Sequence, residues 1–268
     1  MRKVQFELMR PEQIIAEKGR CPVVYVPIGP LEWHGPHLPL GVDPLRAHEV
    51  AVRVAREVGG VVLPTFFWGT ERERSPEMLR NIGFKGDEWI VGMDFPKNSM
   101  KSLYCREEYF AILVRELVDI LENQGYKTIV IVNGHGAQNH VAVLDRLCAE
   151  LSAKKKIKIM HVFVTVMDEK GEYNWAHAAR EETSVMMALY PESVDLSTLP
   201  PKDRPLRNVD WGIVDNLTFR GHPTEDFTVR EDPRVGSSKE LGEENLKATA
   251  TQIVEKIKQV LLEMGIRE

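Results

Sequence analysis

The sequence contains little that would support a secreted, membrane or nucleic-acid-binding protein. Its three cysteines are odd in number and far apart, unlike a disulfide framework or a thiolate zinc site, and they fit a reducing cytoplasm. No apolar run approaches the roughly 20 residues that a membrane span needs, and residues 1–7 turn acidic before a signal peptide could form. The net charge of -5 gives no electrostatic reason to bind nucleic acid or an anionic membrane. We therefore expect a cytoplasmic protein.

Hydrophobic residues make up 43% of the 268 residues, which is enough for one large core, and no internal repeat divides the chain. We therefore expect a single domain over residues 1–268. Short apolar runs predict strands at residues 22–28, 61–64, 128–132 and 157–166. Helical periodicity predicts helices at residues 46–58, 107–124, 138–153, 181–189 and 238–264. This alternation predicts an α/β fold, with a mostly parallel β-sheet flanked by helices on both faces.

Two stretches depart from that alternation. Residues 69–103 form a long irregular excursion, of the kind that supplies lids or subunit contacts. Residues 204–233 are also irregular and contain several prolines. We predict no regular element in either stretch.

The most informative segment, residues 32–43, directly follows the first predicted strand. It carries Glu32, His34, His37 and Asp43 within twelve residues. In extended backbone Glu32 and His34 face the same side, and Asp43 folds back across a turn rich in glycine and proline. A buried strand that ends in imidazoles and carboxylates is typical of metal sites at the carboxyl edge of a sheet. A structural, hydrogen-bonded role is the alternative, but four such residues together favour a metal or catalytic site.

A second cluster, Asn133-Gly134-His135-Gly136, follows the third predicted strand. The glycines allow a sharp turn and close approach to a ligand, although a simple glycine-rich turn would look the same. Because parallel strands end at one edge, we expect His135 to lie near the first cluster. His140 follows the turn, and we expect it to be exposed.

A third cluster begins at His177 and leads into a predicted helix. It offers one imidazole and two adjacent carboxylates, Glu181 and Glu182. Both acids also suit the first turn of a helix, where the helix dipole favours negative charge. Spacing alone does not decide which of them faces the site.

In order and spacing, the three clusters and the late segment DPRVGSSK (residues 232–239) resemble the creatininase family of metal-dependent hydrolases, over nearly the whole chain. The resemblance implies a creatininase-like three-layer sandwich and a centre of two divalent ions bridged by Asp43. Zinc is the first choice, and manganese or iron suit the same ligand types. The metal ligands that the resemblance implies are Glu32, His34, Asp43, His135 and Glu182.

The resemblance also assigns catalytic roles. His177 matches the family's catalytic acid/base, and Glu182, rather than Glu181, lies at the metals or beside the substrate. His37 matches a recurrent position, where we expect it to support the ligands from behind.

The chain departs from creatininase itself in three respects. Ala137 replaces a carboxylate ligand two residues after the second-cluster histidine, so Glu182 or water has to take its place. Gln138 replaces the usual asparagine, and Ala179-Arg180 replaces the usual Gly-Glu. Together with the unusual excursion, these departures indicate a relative with its own substrate.

The resemblance implies hydrolysis at a polarised carbonyl of a small polar cyclic substrate through a metal-activated water. A cyclic amide is our first expectation, and the alternative is carbon–carbon ring opening of an oxidised cyclitol, of the 3-dehydro-scyllo-inosose hydrolase type. A metal-dependent isomerase and a non-catalytic metal-binding subunit are further alternatives. The expected partners are a small molecule and other copies of the chain, a homo-oligomer that is a hexamer by family resemblance. The charged residues of the excursion either serve an acidic or polyhydroxylated substrate or form a solvated surface; they are Arg72, Arg74, Arg80, Lys85 and Lys97.

Overall fold

The computed structural model describes residues 2–71, 75–81, 83–89, 92–96, 100–165, 177–204, 206–209, 212–214, 227–228 and 231–266. The α-helices are α1 (Pro11–Arg20), α2 (Val42–Val58), α3 (Pro76–Asn81), α4 (Glu107–Asn123), α5 (Gln138–Lys154), α6 (Arg180–Leu189) and α7 (Lys239–Glu263). The strands are β1 (Val23–Ile28), β2 (Val61–Val62), β3 (Thr128–Asn133), β4 (Lys158–Phe163), β5 (Arg207–Val209), β6 (Gly212–Val214) and β7 (Phe227–Thr228). Short 3-10 helices span Phe6–Leu8, Pro191–Ser193 and Leu196–Thr198.

The main sheet is parallel and has the strand order β2-β1-β3-β4. The two central strands are apolar and buried over their whole length, as expected for a parallel sheet that is covered on both faces. Ile28 at the end of β1 pairs with Asn133 at the end of β3. The chain therefore leaves both strands side by side at the carboxyl edge, where the first two sequence clusters begin.

Side chains alternate between the two faces of the sheet and build two cores. Val23 and Tyr25 of β1 belong to a core that includes residues of α2, α6 and α7. Val24 and Val26 belong to the opposite core, which includes residues of α4 and α5. Each fully buried valine contributes roughly 1.5–3 kcal/mol, so both faces stabilise the sheet. The predicted α/β fold, a three-layer sandwich, is confirmed. Within the described ranges no helix has the length and apolarity to span a membrane.

The structure corrects the expected start of one helix. The apolar periodicity predicts a helix from residue 46, but α2 begins at Val42, after Gly41. Pro44 lies in the first turn, where its missing N–H costs no intrahelical hydrogen bond. Asp43 is therefore held in the first helical turn, instead of lying in the loop that the sequence predicts.

The two stretches expected to be irregular contain regular elements. Residues 204–233 include a small antiparallel sheet with the order β6-β5-β7, whose two- and three-residue strands are too short to show a periodicity. The excursion includes α3. Its described residues also include the buried side chains of Glu71 and Phe95, and Glu71 lies near His135 at the carboxyl edge of the main sheet.

Candidate metal centre

The side chains of the three sequence clusters meet at the carboxyl edge of the main sheet. Segments after β1 and β3 supply most of them, and the region around the start of α6 supplies the rest. Most are less than 7% exposed, and Glu182 is partly buried. The structure brings together all the ligating and catalytic residues expected from the sequence, namely Glu32, His34, Asp43, His135, His177 and Glu182.

Asp43 lies between two histidines. Its Oδ1 is 3.2 Å from His34 Nε2, and its Oδ2 is 3.1 Å from His135 Nδ1. Glu32 Oε2 is 3.2 Å from the same His135 nitrogen, and Glu182 Oε2 is 3.7 Å from the same His34 nitrogen. Two donor sets therefore share Asp43, and the ligand-type atoms within each set lie within 4.8 Å of one another. We call them the β3 set (Glu32, Asp43, His135) and the α6 set (His34, Asp43, Glu182).

Backbone carbonyls fix the orientation of two imidazoles. His34 Nδ1 is 3.0 Å from the carbonyl oxygen of Glu32, and His177 Nε2 is 2.7 Å from that of Trp33. A carbonyl oxygen only accepts, so these nitrogens donate the hydrogen bonds. In each neutral ring the other nitrogen lacks a proton and faces the site. His177 Nδ1 accordingly lies 3.9 Å from Glu32 Oε2.

The two adjacent acids at the start of α6 turn in different directions. Glu182 Oε2 faces His34 and accepts a hydrogen bond of 2.6 Å from the backbone N–H of Ala178. Ala178 adopts a φ of 56°, a left-handed conformation that costs a non-glycine residue roughly 1–2 kcal/mol. Glu181 instead pairs with Arg46 at 2.5 Å. The choice that spacing leaves open is therefore resolved in the structure, with Glu182 at the site.

His37 is buried behind the ligands. Its Nε2 lies 3.1 Å from Thr183 Oγ1, beside Glu182 on α6. Burial and the nearby charge of His34 lower the pKa of His37 to about 4, so its ring is neutral near pH 7. Its contact is with the element that carries Glu182, which agrees with the supporting position expected from the sequence.

His140 is fully buried, so the expectation that it is exposed is wrong. The first turn of α5 directs its ring inward, where it stacks on Phe110 with the ring centroids 4.5 Å apart. Its Nδ1 accepts a hydrogen bond from the backbone N–H of Thr70, and its Nε2 donates to Asn133 Oδ1 at 3.0 Å. Asn133 Oδ1 also accepts the backbone N–H of His135. His140 therefore helps to hold the turn that carries His135.

Two residues at the site were not identified from the sequence. The hydroxyl of Tyr104 donates a hydrogen bond of 2.6 Å to Glu32 Oε1. Glu71 is buried, and its Oε2 lies 3.9 Å from His135 Nε2. Glu71 opens a charged run that resembles solvated surface, and Tyr104 follows the excursion without any recognisable motif. The one sequence signal for Glu71 and Tyr104 is that this region of the chain differs from the family pattern.

A cavity of about 120 Å³ opens onto the donor sets. Its other walls include the apolar Met93 and Phe163 and the polar Gln138 and Thr165. Among the charged residues of the excursion, Arg80 and Lys85 are exposed, as a solvated surface requires. The other three lie outside the described residues; they are Arg72, Arg74 and Lys97.

The electrostatics of the site favour positive charge. Burial disfavours the charged ring of His34, but the carboxylates of Asp43 and Glu182 outweigh it and raise the pKa of His34 to about 10. Burial likewise opposes a charged His135, and Glu32 and Asp43 raise its pKa well above the ordinary value. Burial raises the pKa of Glu182, since it outweighs the attraction of the histidines. In the metal-free site, protons on His34 and His135 thus supply positive charge that a bound metal ion would also supply.

These donors fit divalent ions. Imidazole nitrogens and carboxylate oxygens without thiolates suit zinc, manganese or iron. His34 Nε2 is buried and, among the residues that the structure describes, has no partner with hydrogen-bond geometry, although Asp43 Oδ1 is 3.2 Å away. A buried polar atom without a hydrogen bond requires an explanation, and a cation between these two atoms would provide one.

Comparisons with known proteins agree on one family. The family model "Creatininase: Creatinine amidohydrolase" matches residues 7–257. A creatinine amidohydrolase of Pseudomonas putida is 26% identical over 210 residues, 69% of this chain and 74% of that protein. A mycofactocin precursor peptide peptidase of Mycolicibacterium smegmatis is 31% identical over 225 residues, 80% of this chain and 79% of that protein. A 3-dehydro-scyllo-inosose hydrolase of Thermotoga maritima is 24% identical over 198 residues, 70% of this chain but 57% of that longer protein.

Solved structures share the fold. A creatinine amidohydrolase (creatininase) superposes with a TM-score of 0.67 at 24% identity, over 97% of this chain and 98% of that chain. A structure described as "Creatininase Mn" has a TM-score of 0.67 at 24% identity, over 96% and 98%. A mutant creatininase of "Zn-Zn type" has a TM-score of 0.65 at 24% identity, over 97% and 98%.

Proposed function

Because the chain belongs to the creatininase family of metal-dependent hydrolases, we propose that it hydrolyses a small polar cyclic substrate of the cyclic-amide type. The observation that carries the proposal is Asp43, whose two oxygens face a histidine each in two separate donor sets. This is the arrangement that a pair of bridged ions requires. The creatinine amidohydrolase of Pseudomonas putida supports the cyclic-amide substrate class.

We assign the ligands by donor set. Glu32 and His135 would hold one ion, His34 and Glu182 the other, and Asp43 both. Glu182 would thereby replace the carboxylate that is absent at Ala137. Zinc is the first choice, and manganese or iron are the alternatives. The structures described as "Zn-Zn type" and "Creatininase Mn" support zinc and manganese. Such ions, when bound, supply a Lewis acid for the substrate carbonyl and activate water for attack.

His177 is the proposed acid/base. Its Nε2–H is held by the carbonyl of Trp33, so the proton that it transfers has to be carried on Nδ1, the nitrogen that faces the site. A protonated His177 would donate from Nδ1 to the departing nitrogen or carbon and remain neutral, with its Nε2 hydrogen bond intact. Glu182 borders the same cavity and would contact the substrate as well as an ion.

The cavity supports a small substrate. Its volume of about 120 Å³ is small, which limits the reacting part of the substrate to one ring or group. Met93 and Phe163 would contact the apolar faces of such a ring. Gln138 and Thr165 offer hydrogen bonds to its polar edge.

Ring opening of an oxidised cyclitol is the second candidate. The similarity to the 3-dehydro-scyllo-inosose hydrolase favours it, as do the hydrogen-bonding side chains of Gln138 and Thr165 at the cavity wall. The same residues would act, with His177 protonating a leaving carbon instead of a leaving nitrogen.

Cytoplasmic location and assembly as a hexamer remain predictions. Light scattering of the purified protein tests the second of them.

Metal content and product mass test the proposal together. We expect about two divalent ions per chain in protein purified without chelator, and a sharp drop in Asp43→Ala, measured by elemental mass spectrometry. The wild type is then incubated with creatinine and other cyclic amides, 3-dehydro-scyllo-inosose and a precursor peptide. Ring opening gives one product heavier by one water, and cleavage of the peptide gives two fragments whose masses sum to the peptide plus one water; either result identifies a hydrolase and its substrate class. An unchanged mass with a new retention time indicates an isomerase. Absence of metal after reconstitution would refute the two-ion centre.

A further inference from the structure

One oxygen of Glu32 is committed to a residue outside the three sequence clusters. Glu32 Oε1 accepts the hydrogen bond from Tyr104, while Oε2 faces His135 Nδ1. The Tyr104 hydroxyl also accepts a hydrogen bond of 3.2 Å from the backbone N–H of Met93, so its single proton is directed at Glu32. A Cβ at Gly92 would lie 2.4 Å from the Tyr104 hydroxyl, so the glycine permits this close approach. Tyr104 therefore fixes which Glu32 oxygen is available to an ion.

The far side of His135 faces a carboxylate from the excursion. Its Nδ1 is directed at Asp43 and Glu32, and its Nε2 lies 3.9 Å from Glu71 Oε2. Nε2 is buried and makes no hydrogen bond among the described residues. At 3.9 Å Glu71 makes no hydrogen bond to His135, so it would act on the ring through its charge. A carboxylate behind a ligating histidine favours a proton on the outer nitrogen and leaves the inner nitrogen, here Nδ1, to bind an ion.

The α6 set is supported differently. His34 is oriented by the backbone carbonyl of Glu32, and Glu182 by the backbone N–H of Ala178. Main-chain groups therefore orient the two ligands that the assignment above gives to the α6-set ion alone. Side chains of the excursion and its end lie beside Glu32 and His135, the two ligands that it gives to the β3-set ion alone. Loss of Tyr104 or Glu71 would consequently affect the two ion positions unequally.

We propose that Tyr104 and Glu71 are positioning residues that selectively strengthen ion binding at the β3 set. The inference rests on the two-ion centre proposed above and deepens it. It would also give the unusual excursion a function, since Glu71 lies in it and Tyr104 directly follows it.

Stepwise metal binding tests the proposal. Tyr104→Phe removes only the hydroxyl and Glu71→Gln removes only the charge. Each variant is stripped of metal and titrated with Zn²⁺ against a chromophoric chelator, beside the wild type. The matched controls are Tyr109→Phe, an exposed tyrosine of α4, and Glu108→Gln, an exposed acid of the same helix. We expect each test variant to bind one ion about 10–100-fold more weakly, the usual effect of losing an outer partner, and the other ion as in wild type.

Four outcomes separate the possibilities. Wild-type affinity for both ions in both test variants would overturn the proposal, as would equal weakening of both ions. Wild type that binds no ion would instead refute the proposed function. Thermal denaturation of the metal-free proteins provides a readout of folding, and a selective loss of one ion at an unchanged melting temperature distinguishes positioning from general destabilisation. Since the two substitutions are independent, failure of one variant to fold leaves the other as the test.

Discussion

Replacing Gly134 by alanine should disrupt the candidate metal centre without altering any ligand. A Cβ at position 134 would lie 2.2 Å from the carbonyl oxygen of Asp43 and 2.9 Å from its Cα, where ordinary contact begins at 3.4 Å. The turn after β3 and the first turn of α2 would have to separate by about 1 Å to relieve this overlap. Gly134 cannot simply withdraw, because its N–H donates to the carbonyl of Ile28 at 2.9 Å. The clash is with backbone, so no side-chain rotation relieves it.

The displacement would separate Asp43 from His135, the residue that follows Gly134. Metal sites require ligand distances within about 0.2 Å, so a shift of about 1 Å is large for the ion that these two residues are proposed to share. Overpacking of this kind also costs about 1–3 kcal/mol. We therefore expect Gly134→Ala to lower the free energy of unfolding by about that amount in a urea titration. We also expect it to retain less metal than wild type after desalting, measured by elemental mass spectrometry.

Gly19→Ala is the matched control. Gly19 lies in α1, and nothing is within 4 Å of its added Cβ. The substitution should increase stability by up to about 1 kcal/mol, since alanine favours helix, and should leave the metal content unchanged. A Gly134→Ala protein with wild-type stability and wild-type metal content would refute the reasoning, because it would show that the contact between the β3 turn and α2 does not hold the ligands in place.

Three further predictions concern the charges of the site. His177→Ala should keep its metal and lose about 10²–10⁴-fold in turnover of the substrate identified by product mass; full activity would contradict the acid/base assignment. Arg46→Met should destabilise the protein by about 3 kcal/mol in urea, because it leaves the Glu181 carboxylate without its buried partner, and a loss below about 1 kcal/mol would show the pair to be unimportant. The metal-free protein should lose stability as pH rises. In the folded state the pKa of His34 is about 10, and the pKa of His135 is also raised above the ordinary value of 6.5. Protonation of these two histidines therefore stabilises the folded state fully below pH 6.5, and this stabilisation is lost as pH rises through the folded-state pKa values. Thermal denaturation in chelator between pH 6 and 10 checks this, and a melting temperature that rises with pH would contradict it.

The fold and much of the site could be predicted because both depend on local patterns. Apolar runs such as Thr128–Asn133 indicate covered parallel strands, and residues after adjacent parallel strands meet at one edge whatever the loops do. The predicted start of α2 was wrong because helical periodicity is recognised from regularly spaced apolar residues, and Asp43 and Pro44 interrupt that spacing. The small antiparallel sheet was missed because strands of two or three residues carry no period.

The residues that we propose to orient the ligands could not be predicted, for a different physical reason. A sequence motif identifies a carboxylate as a ligand, but not which of its two oxygens faces the ion. For Glu32 that choice depends on Tyr104, which is brought to it only by the tertiary fold. Glu71 likewise belongs to a charged run, and nothing in the local sequence distinguishes it from solvated acids. It lies at the sheet edge because the neighbouring Thr70 N–H donates a hydrogen bond to His140. Candidate ligand types are therefore encoded within short segments, and so is the orientation of His34 and Glu182, whereas the orientation of Glu32 depends on a contact between segments.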